Sequence, residues 1–343
     1  MHNLTNETLC KKALAPEAFI KQFPLTSDLY QSVKNHRISI NNILKGFDKR
    51  LLMVIGPCSI HDLDSAKEYA AFLKQTSQLY ESKFLIVMRT FFEKPRTTVG
   101  WKGLISDPFL DGTFAIHSGL ALARELLCHI GRMGLPTSTE FLDTLVPPFL
   151  SDLISLGIVG ARTTESSIHR ALASGLNMPV GFKNNTDGNI QVAIDAIQSA
   201  SEPHHFLGLD LQGMINIIHT LGNPACHLIL RGSNAGPNYS EKNVKQAINY
   251  LKNANLNSRI VIDCSHGNSM KNPSQQFVVI EEICRQIKNG STAIAGVMIE
   301  SNLVGGRQEI SSKKNLIYGK SITDACLGWD ETLSIIKELA NVL

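Results

Sequence analysis

Residues 51–58, Leu-Leu-Met-Val-Ile-Gly-Pro-Cys, decide the fold: five consecutive apolar residues lead into a Gly-Pro turn and then a thiol. A continuous apolar run this short is typical of a strand buried on both faces, as in parallel sheets covered by helices. Cys58 then stands where the strand would end.

The same pattern recurs seven times along the chain. The further apolar runs end in polar side chains, namely Arg89, Glu140, Arg162, Lys183, Arg231, His266 and Glu300. Segments with helical spacing separate them, at 65–80, 116–131, 166–175, 188–201, 241–254 and 274–289. Eight strand-helix repeats predict a closed (β/α)8 (TIM) barrel of the α/β class, whose catalytic groups lie at the C-terminal strand ends. A doubly wound open sheet is the alternative, but it would not bring the first and last strands together.

Three cations lie within eight residues of one another directly after the apolar run 84–88. Arg89 and Arg96 offer planar forks of donors and Lys94 a compact point charge, which together suit phosphate oxygens. Taken alone, this segment could equally be a solvated basic loop. The cations at other strand ends favour an anion-binding mouth.

A second group of residues has the chemistry of a metal site. Cys58, His266, Glu300 and Asp324 supply a thiolate, an imidazole and two carboxylates. This mixture suits Mn, Fe, Co or Zn better than Mg or Ca, which prefer oxygen ligands. Barrel closure would set strand eight between strands one and seven. Each residue also has a structural alternative as a buried thiol, a hydrogen-bonded loop imidazole or a salt-bridge partner.

Composition agrees with an enzyme built on one large domain. The chain has 343 residues, is 43% hydrophobic and carries a net charge of +3, which is too small to suggest a nucleic-acid partner. No apolar run approaches a membrane span, no signal peptide is evident, and seven cysteines without a dense framework fit reduced thiols. We therefore expect a cytoplasmic protein without a membrane partner.

Two segments depart from the strand-helix alternation. Residues 1–50 precede the catalytic barrel of residues 51–343 as an N-terminal extension with helical spacing. This extension either caps the bottom of the barrel or mediates oligomer contacts. Residues 204–218 alternate around a glycine and predict a β-hairpin inserted between barrel strands five and six.

Seven motifs in one order resemble type I 3-deoxy-D-arabino-heptulosonate 7-phosphate (DAHP) synthases over almost the whole chain. They are Gly56-Pro-Cys-Ser-Ile-His-Asp62, Met88-Arg-Thr-Phe-Phe-Glu-Lys-Pro-Arg-Thr97, Gly160-Ala-Arg-Thr-Thr-Glu-Ser166, Pro179-Val-Gly-Phe-Lys-Asn184, Ile229-Leu-Arg-Gly232, Asp263-Cys-Ser-His-Gly-Asn268 and Tyr318-Gly-Lys-Ser-Ile-Thr-Asp-Ala-Cys326.

The resemblance implies a transferase that condenses phosphoenolpyruvate with erythrose 4-phosphate and water, releasing phosphate in the first step of the shikimate pathway. It implies that Arg96 and Thr97 contact erythrose 4-phosphate. It also implies that a divalent ion, held by Cys58, His266, Glu300 and Asp324, acts as a Lewis acid on the aldehyde carbonyl. We expect Lys94 to act as an acid, and either Glu140 or a metal-bound group to orient or deprotonate the water, beside the catalytic His266 and Asp324. The residues it assigns to phosphoenolpyruvate are Arg89, Lys94, Arg162, Lys183 and Arg231.

We also expect a homo-oligomer, a dimer or a tetramer, and the resemblance implies feedback control by an aromatic amino acid. We expect tyrosine, because Gly208 has no side chain where phenylalanine-responsive relatives commonly have serine. Pro147-Pro148 replaces a common Pro-Gln, which leaves an ordinary loop as the alternative. The candidate effector residues are Asp143, Pro147, Leu176, Asn177, Phe206 and Gly208.

Two rival functions remain from the sequence. The sister enzyme that makes 3-deoxy-octulosonate 8-phosphate shares the barrel and the phosphoenolpyruvate chemistry, but the Lys94-Pro-Arg-Thr97 loop and the N-terminal extension argue against it. A non-catalytic effector-binding relative would be expected to lose its ligands, and every metal and cation position is intact.

Overall fold

The computed structural model describes residues 12–96, 100–310 and 315–343. Its strands are β1 (Leu51–Gly56), β2 (Phe84–Arg89), β3 (Thr137–Glu140), β4 (Leu156–Val159), β5 (Val180–Lys183), β6 (His205–Leu209), β7 (Ile215–His219), β8 (Cys226–Leu230), β9 (Ile260–Asp263), β10 (Ile294–Glu300), β11 (Val304–Arg307) and β12 (Lys320–Ser321). Its α-helices are α1 (Pro16–Ile20), α2 (Ser27–Lys45), α3 (Leu63–Leu79), α4 (Ile116–Arg132), α5 (Pro147–Leu150), α6 (Ser167–Gly175), α7 (Ile190–Ser201), α8 (Glu241–Asn253), α9 (Gln275–Lys288) and α10 (Trp329–Ala340). A 3-10 turn spans Ser151–Leu153.

Eight parallel strands close into a barrel in the order β1-β10-β9-β8-β5-β4-β3-β2. Strand β1 pairs with both β2 and β10, so the predicted TIM barrel is confirmed and the open sheet was the wrong alternative. The predicted hairpin is also confirmed, because β6 and β7 pair antiparallel between barrel strands β5 and β8. Gly213 adopts a left-handed φ of 80° in its turn, a conformation that glycine accepts at no steric cost.

The helices begin and end at ordinary capping residues. Asp62 accepts the backbone N–H groups of Asp64 and Ser65 and so starts α3, and Ser166 caps α6 in the same way. Gly46, with a φ of 80°, ends α2. Helices α5 and α10 are additional to the sequence prediction, and β4 ends at Val159, so Arg162 lies in the following turn.

Register places alternate strand residues inside the barrel. Inward residues such as Val54, Ile158 and Ile229 form one buried cluster with Ile40 and Ile43 of α2. Helix α2 therefore packs against the apolar interior, whereas β2, β5, β9 and β10 end in the polar residues Arg89, Lys183, Asp263 and Glu300. The division at residue 50 stays a prediction. Within the described ranges, none of the helices is long and apolar enough to cross a membrane.

Candidate active site at the barrel mouth

Three of the four predicted metal ligands converge where β1 meets β10. The ligand atoms of Cys58, Glu300 and Asp324 all lie within 4.8 Å of one another, and Cys58 Sγ is 3.7 Å from Asp324 Oδ2. The barrel register brings Cys58 close to Glu300, because Gly56, two residues before Cys58, pairs with Glu300. Asp324 comes from the loop after β12, and the N–H of Leu327 in this loop donates to the carbonyl of Glu300.

The fourth predicted ligand, His266, faces this cluster from the end of β9. Its Nε2 lies 3.7 Å from Glu300 Oε1, and its Nδ1 lies 2.9 Å from Asp263 Oδ2. The residue has a left-handed φ of 56°, which is strained for a side chain of this size and turns the ring toward the mouth. All four predicted ligands therefore border one space.

The donor set fits a divalent transition metal. Burial, followed by the charge of Glu300, raises the pKa of the Cys58 thiol to about 11. A cation among these acidic groups would favour the thiolate instead. Sulfur, nitrogen and carboxylate donors together suit a divalent transition metal better than an ion that prefers all-oxygen ligands.

Two of the predicted substrate-binding arginines keep unused donors. Arg89 is fully buried, its Nη2 donates to Glu300 Oε1 at 3.0 Å, and its Cζ lies 4.1 Å above the ring of Phe91. Among the described residues, Arg89 Nη1 and Arg231 Nε are buried donors without a hydrogen-bond partner. Buried donors of this kind need an explanation, and an anionic ligand would supply their partner.

The loop after β2 carries the remaining basic residues. Burial alone would lower the pKa of Lys94, but the nearby Cys58 and Glu300 raise it. Arg162 Nη1 donates to the carbonyl of Pro95 at 3.3 Å, and Arg96 Nε donates to that of Trp101 at 2.8 Å. The turn after β4 thus contacts the loop after β2. Thr97 lies outside the described residues.

Glu140 ends β3 and lies against the turn after β4. A Cβ atom on Gly160 would lie 1.9 Å from Glu140 Oε1, so a glycine is needed for the carboxylate to occupy this position. The charge of Glu140 also reaches Glu93. Burial first, then the charges of Asp143 and Glu140, raise the pKa of Glu93 to about 7.

Asp263 is a site residue that the sequence analysis missed. It is fully buried at the end of β9, and its Oδ2 accepts a 2.7 Å hydrogen bond from Lys183 Nζ. Burial alone would raise the pKa of Asp263, but Lys183 and His266 hold it well below its usual range. Its position as the polar end of the run 260–262 was the signal that could have found it.

A cavity of about 960 Å³ lies at the other end of the barrel. Residues that precede β5 and β8, such as Met178 and Ala225, contribute to its wall. Asp143 does not line it. Instead, Asp143 Oδ1 accepts the N–H of Leu145 in the turn before α5. The predicted effector residues that do line it are Pro147, Leu176, Asn177, Phe206 and Gly208.

Comparison with known proteins agrees with this fold. The chain is 52% identical over 333 residues to the Phe-sensitive phospho-2-dehydro-3-deoxyheptonate aldolase of Escherichia coli (strain K12), covering 97% of this chain and 95% of the relative. It is 50% identical to the Trp-sensitive enzyme of Buchnera aphidicola subsp. Baizongia pistaciae, covering 96% and 94%. The solved structure of the phospho-2-dehydro-3-deoxyheptonate aldolase from Francisella tularensis SCHU S4 superposes with a TM-score of 0.96 at 49% identity and covers 98% of both chains.

A family model also matches residues 28–337, which include the complete barrel. Because this match and the relatives' identities extend over nearly the whole chain, the chain belongs to the DAHP synthetase I family.

Proposed function

We propose that this protein condenses phosphoenolpyruvate with D-erythrose 4-phosphate and water to give DAHP and phosphate, the first step of the shikimate pathway. The observation that carries the proposal is the convergence of the acidic cluster Cys58, Glu300 and Asp324 with buried arginines that keep unused donors, on a chain of this family. Such a mouth suits a substrate that bears both a carboxylate and a phosphate.

The cations hold the substrates in this proposal. Arg89, Lys94, Arg162, Lys183 and Arg231 bind phosphoenolpyruvate, and their shared mouth limits its orientation. Arg96 and Thr97 bind the phosphate of erythrose 4-phosphate, which places its aldehyde next to Lys94.

The bond changes follow from these positions. Carbon 3 of phosphoenolpyruvate attacks the aldehyde carbon, and Lys94 protonates the alkoxide that forms. Glu140 orients the water whose oxygen bonds to carbon 2, and the bond from carbon 2 to the phosphate oxygen then breaks. Of the two protons that this water loses, one leaves with the phosphate and the other restores Lys94. When held by Cys58, His266, Glu300 and Asp324, a divalent ion supplies Lewis acidity toward the aldehyde carbonyl.

Lys94→Met tests the chemistry directly. We expect kcat to fall by about 10²- to 10⁴-fold, the usual contribution of a general acid. Lys102→Met is the matched control, because the Lys102 side chain is exposed in the same loop. The backbone carbonyl of Lys102, which the substitution keeps, accepts the N–H of Lys94. Equal activity of both variants would contradict the assignment. Arabinose 5-phosphate as the better acceptor would favour the sister synthase, and no turnover with either sugar would favour a non-catalytic relative.

We also propose that an aromatic amino acid, with tyrosine favoured, binds the cavity at the N-terminal ends of β5 and β8. The cavity is lined by the apolar Phe206 and Leu176, and Gly208 leaves backbone exposed for a phenolic hydroxyl. A Cβ atom at Gly208 would lie 2.7 Å from Ile218 Cγ1, so a larger residue forces Ile218 to move into the available space.

Initial rates with each aromatic amino acid test this effector. Tyrosine should inhibit the wild-type enzyme, and Gly208→Ser should shift the preference toward phenylalanine. Rates unchanged by millimolar tyrosine would exclude tyrosine as the effector.

Assembly into a homo-oligomer, a dimer or a tetramer, is a further proposal. On the outer face of the hairpin, Leu207, Ile215 and Ile217 are 74%, 76% and 67% exposed, which is unusual for an apolar sheet face in a monomer. Light scattering of Ile217→Lys should report a smaller mass than the wild type. Leu79→Lys, a 79% exposed position at the end of α3 and outside the N-terminal extension, should leave the mass unchanged.

We propose a cytoplasmic location as well. Six described cysteines are free and buried, which agrees with a reducing compartment. Fractionation of the expressing cells would test it, and recovery outside the cytoplasm would refute it.

A further inference from the structure

Asp263 lies between two groups that the proposed function uses separately. It is the last residue of β9, pairs with Met298 of β10, and is fully buried inside the barrel mouth. Its Oδ2 accepts Lys183 Nζ at 2.7 Å and lies 2.9 Å from His266 Nδ1. One oxygen atom therefore contacts a substrate-binding cation and a metal-ligating imidazole together.

The other oxygen of Asp263 is held by Ser265. Oδ1 accepts the backbone N–H of Ser265 at 3.0 Å and its hydroxyl at 2.6 Å. Ser265 Oγ also lies 2.8 Å from His266 Nδ1. Because the serine hydroxyl already donates to Oδ1, its oxygen can only accept from the imidazole. Both neighbours of Nδ1 therefore require a proton on that nitrogen.

A proton on Nδ1 leaves the lone pair on Nε2, which faces Glu300 at 3.7 Å. A neutral imidazole that binds a metal through Nε2 needs this tautomer, and a carboxylate on the opposite nitrogen typically fixes it. A contribution to folding stability is a weak explanation for placing Asp263 between Lys183 and His266, because buried ion pairs such as Lys183–Asp263 contribute little net stability.

We infer that Asp263 is a positioning residue that fixes the His266 tautomer for metal binding and holds the Lys183 ammonium for phosphoenolpyruvate. The inference rests on the proposed function, because it assumes metal and substrate at this mouth. It adds a link between metal binding and phosphoenolpyruvate binding, since loss of the Asp263 carboxylate should weaken both.

Asp263→Asn tests the inference with little change in shape. The amide cannot accept from Lys183 and His266 while also accepting both bonds from Ser265, and its NH₂ group facing Nδ1 would favour the wrong tautomer. We expect the Kd for Co²⁺, followed by the thiolate-to-cobalt absorption band of Cys58, to rise about 10- to 100-fold. The KM for phosphoenolpyruvate should rise as well, whereas the KM for erythrose 4-phosphate should change less than about twofold.

Thr137→Val is the matched structural control. Thr137 Oγ1 donates to the carbonyl of Leu153, a buried bond at the opposite end of a barrel strand. This variant should lose stability but bind Co²⁺ like the wild type, which separates positioning from a general loss of packing.

The outcomes separate a failure of the proposed metal site from a failure of the role inferred for Asp263. A wild-type protein without a cobalt-thiolate band would overturn the proposed metal site, and the inference with it. A wild-type band together with unchanged Co²⁺ affinity in a folded Asp263→Asn variant would overturn the inference alone. If Asp263→Asn does not fold, Ser265→Ala decides: a Kd raised about fivefold, the worth of one buried hydrogen bond, supports the inference, and an unchanged Kd refutes it.

Discussion

Gln276 fixes the backbone of Glu300, one of the proposed metal ligands. This fully buried side chain on α9 donates to the carbonyl of Glu300 at 3.0 Å and accepts the N–H of Glu300 at 2.9 Å. Both backbone groups of Glu300 at the end of β10 are thereby hydrogen-bonded to α9. The direction of the Glu300 carboxylate toward Cys58 and Asp324 depends on this backbone.

Gln276→Leu should therefore affect both stability and metal affinity. An unpaired buried N–H costs about 1–3 kcal/mol, so we expect the free energy of unfolding to fall by that amount. Metal affinity should also weaken several-fold, as measured by Co²⁺ titration. Gln286→Leu is the matched control, because Gln286 is buried on the same helix but bonds to Tyr239 and Glu282. Equal metal affinities in the two variants would argue against a role of the Gln276 hydrogen bonds in positioning Glu300.

Glu93 makes stability depend on pH. Its pKa of about 7 in the folded protein exceeds the ordinary value of 4.5, because of burial and then the charges of Asp143 and Glu140. Between these values the folded chain keeps a proton that the unfolded chain releases. This stability is thus present in full below about pH 4.5 and is lost as the pH rises through 7.

Glu93→Gln should accordingly be more stable than the wild type at pH 8 by about 3 kcal/mol, from 1.36 kcal/mol per pH unit between 4.5 and about 7, and by much less at pH 5. Urea unfolding at both pH values measures the difference. Glu202→Gln, at an exposed carboxylate, is the control. A stability gain that is the same at pH 5 and pH 8 would refute the electrostatic explanation.

Elements of the barrel fit together through small residues at particular register positions. Gly181 of β5 pairs with His227 of β8, and a Cβ atom on Gly181 would lie 2.3 Å from Ile229 Cδ1 and 3.0 Å from His227 Nε2. The glycine therefore lets two larger side chains of the next strand enter the interior. Strand β5 could not pair in this register with a larger residue there.

Gly181→Ala should destabilise the protein by about 1–3 kcal/mol, the usual cost of overpacking a core. Adding Ile229→Val should recover part of that loss, because valine lacks the Cδ1 atom that the new methyl group would meet. Thermal unfolding of the single and double variants gives the coupling energy. Strictly additive effects of the two substitutions would show that the contact is not the cause.

Across the whole molecule, the active site and the proposed effector cavity occupy opposite ends of the barrel. The chain itself connects them, since Glu140 ends β3 at the mouth and Pro147 lines the cavity seven residues later. Asp143 lies between them and its charge acts on Glu93, in the loop that carries Lys94 and Arg96. A shift of the segment 141–147 would therefore reach the loop that carries Lys94 and Arg96.

Coupling between these sites must be reciprocal. If tyrosine raises the Kd for phosphoenolpyruvate, we expect phosphoenolpyruvate to raise the Kd for tyrosine by the same factor, about fivefold or more. Calorimetric titration of tyrosine with and without saturating phosphoenolpyruvate measures this factor. An unchanged tyrosine Kd would show that inhibition does not act through substrate affinity.

The sequence by itself determined the eight strands, the barrel and the chemistry at each strand end. It could do so because a strand buried on both faces needs a continuous apolar run, and because its C-terminal residue faces the mouth wherever the sheet closes. The motifs likewise determined the family.

Only the tertiary structure decided which side chains meet. Cys58 and Asp324 are 266 residues apart, and closure of β1 onto β10 together with the loop after β12 brings them together. Asp263 contacts both Lys183 and His266 only because the ends of β5 and β9 lie at matching heights along the barrel axis. No local sequence pattern encodes that height. The wall of the cavity likewise combines the hairpin with residues before β5 and β8. Local sequence specifies the type of each element, whereas contacts between distant elements depend on packing across the whole chain.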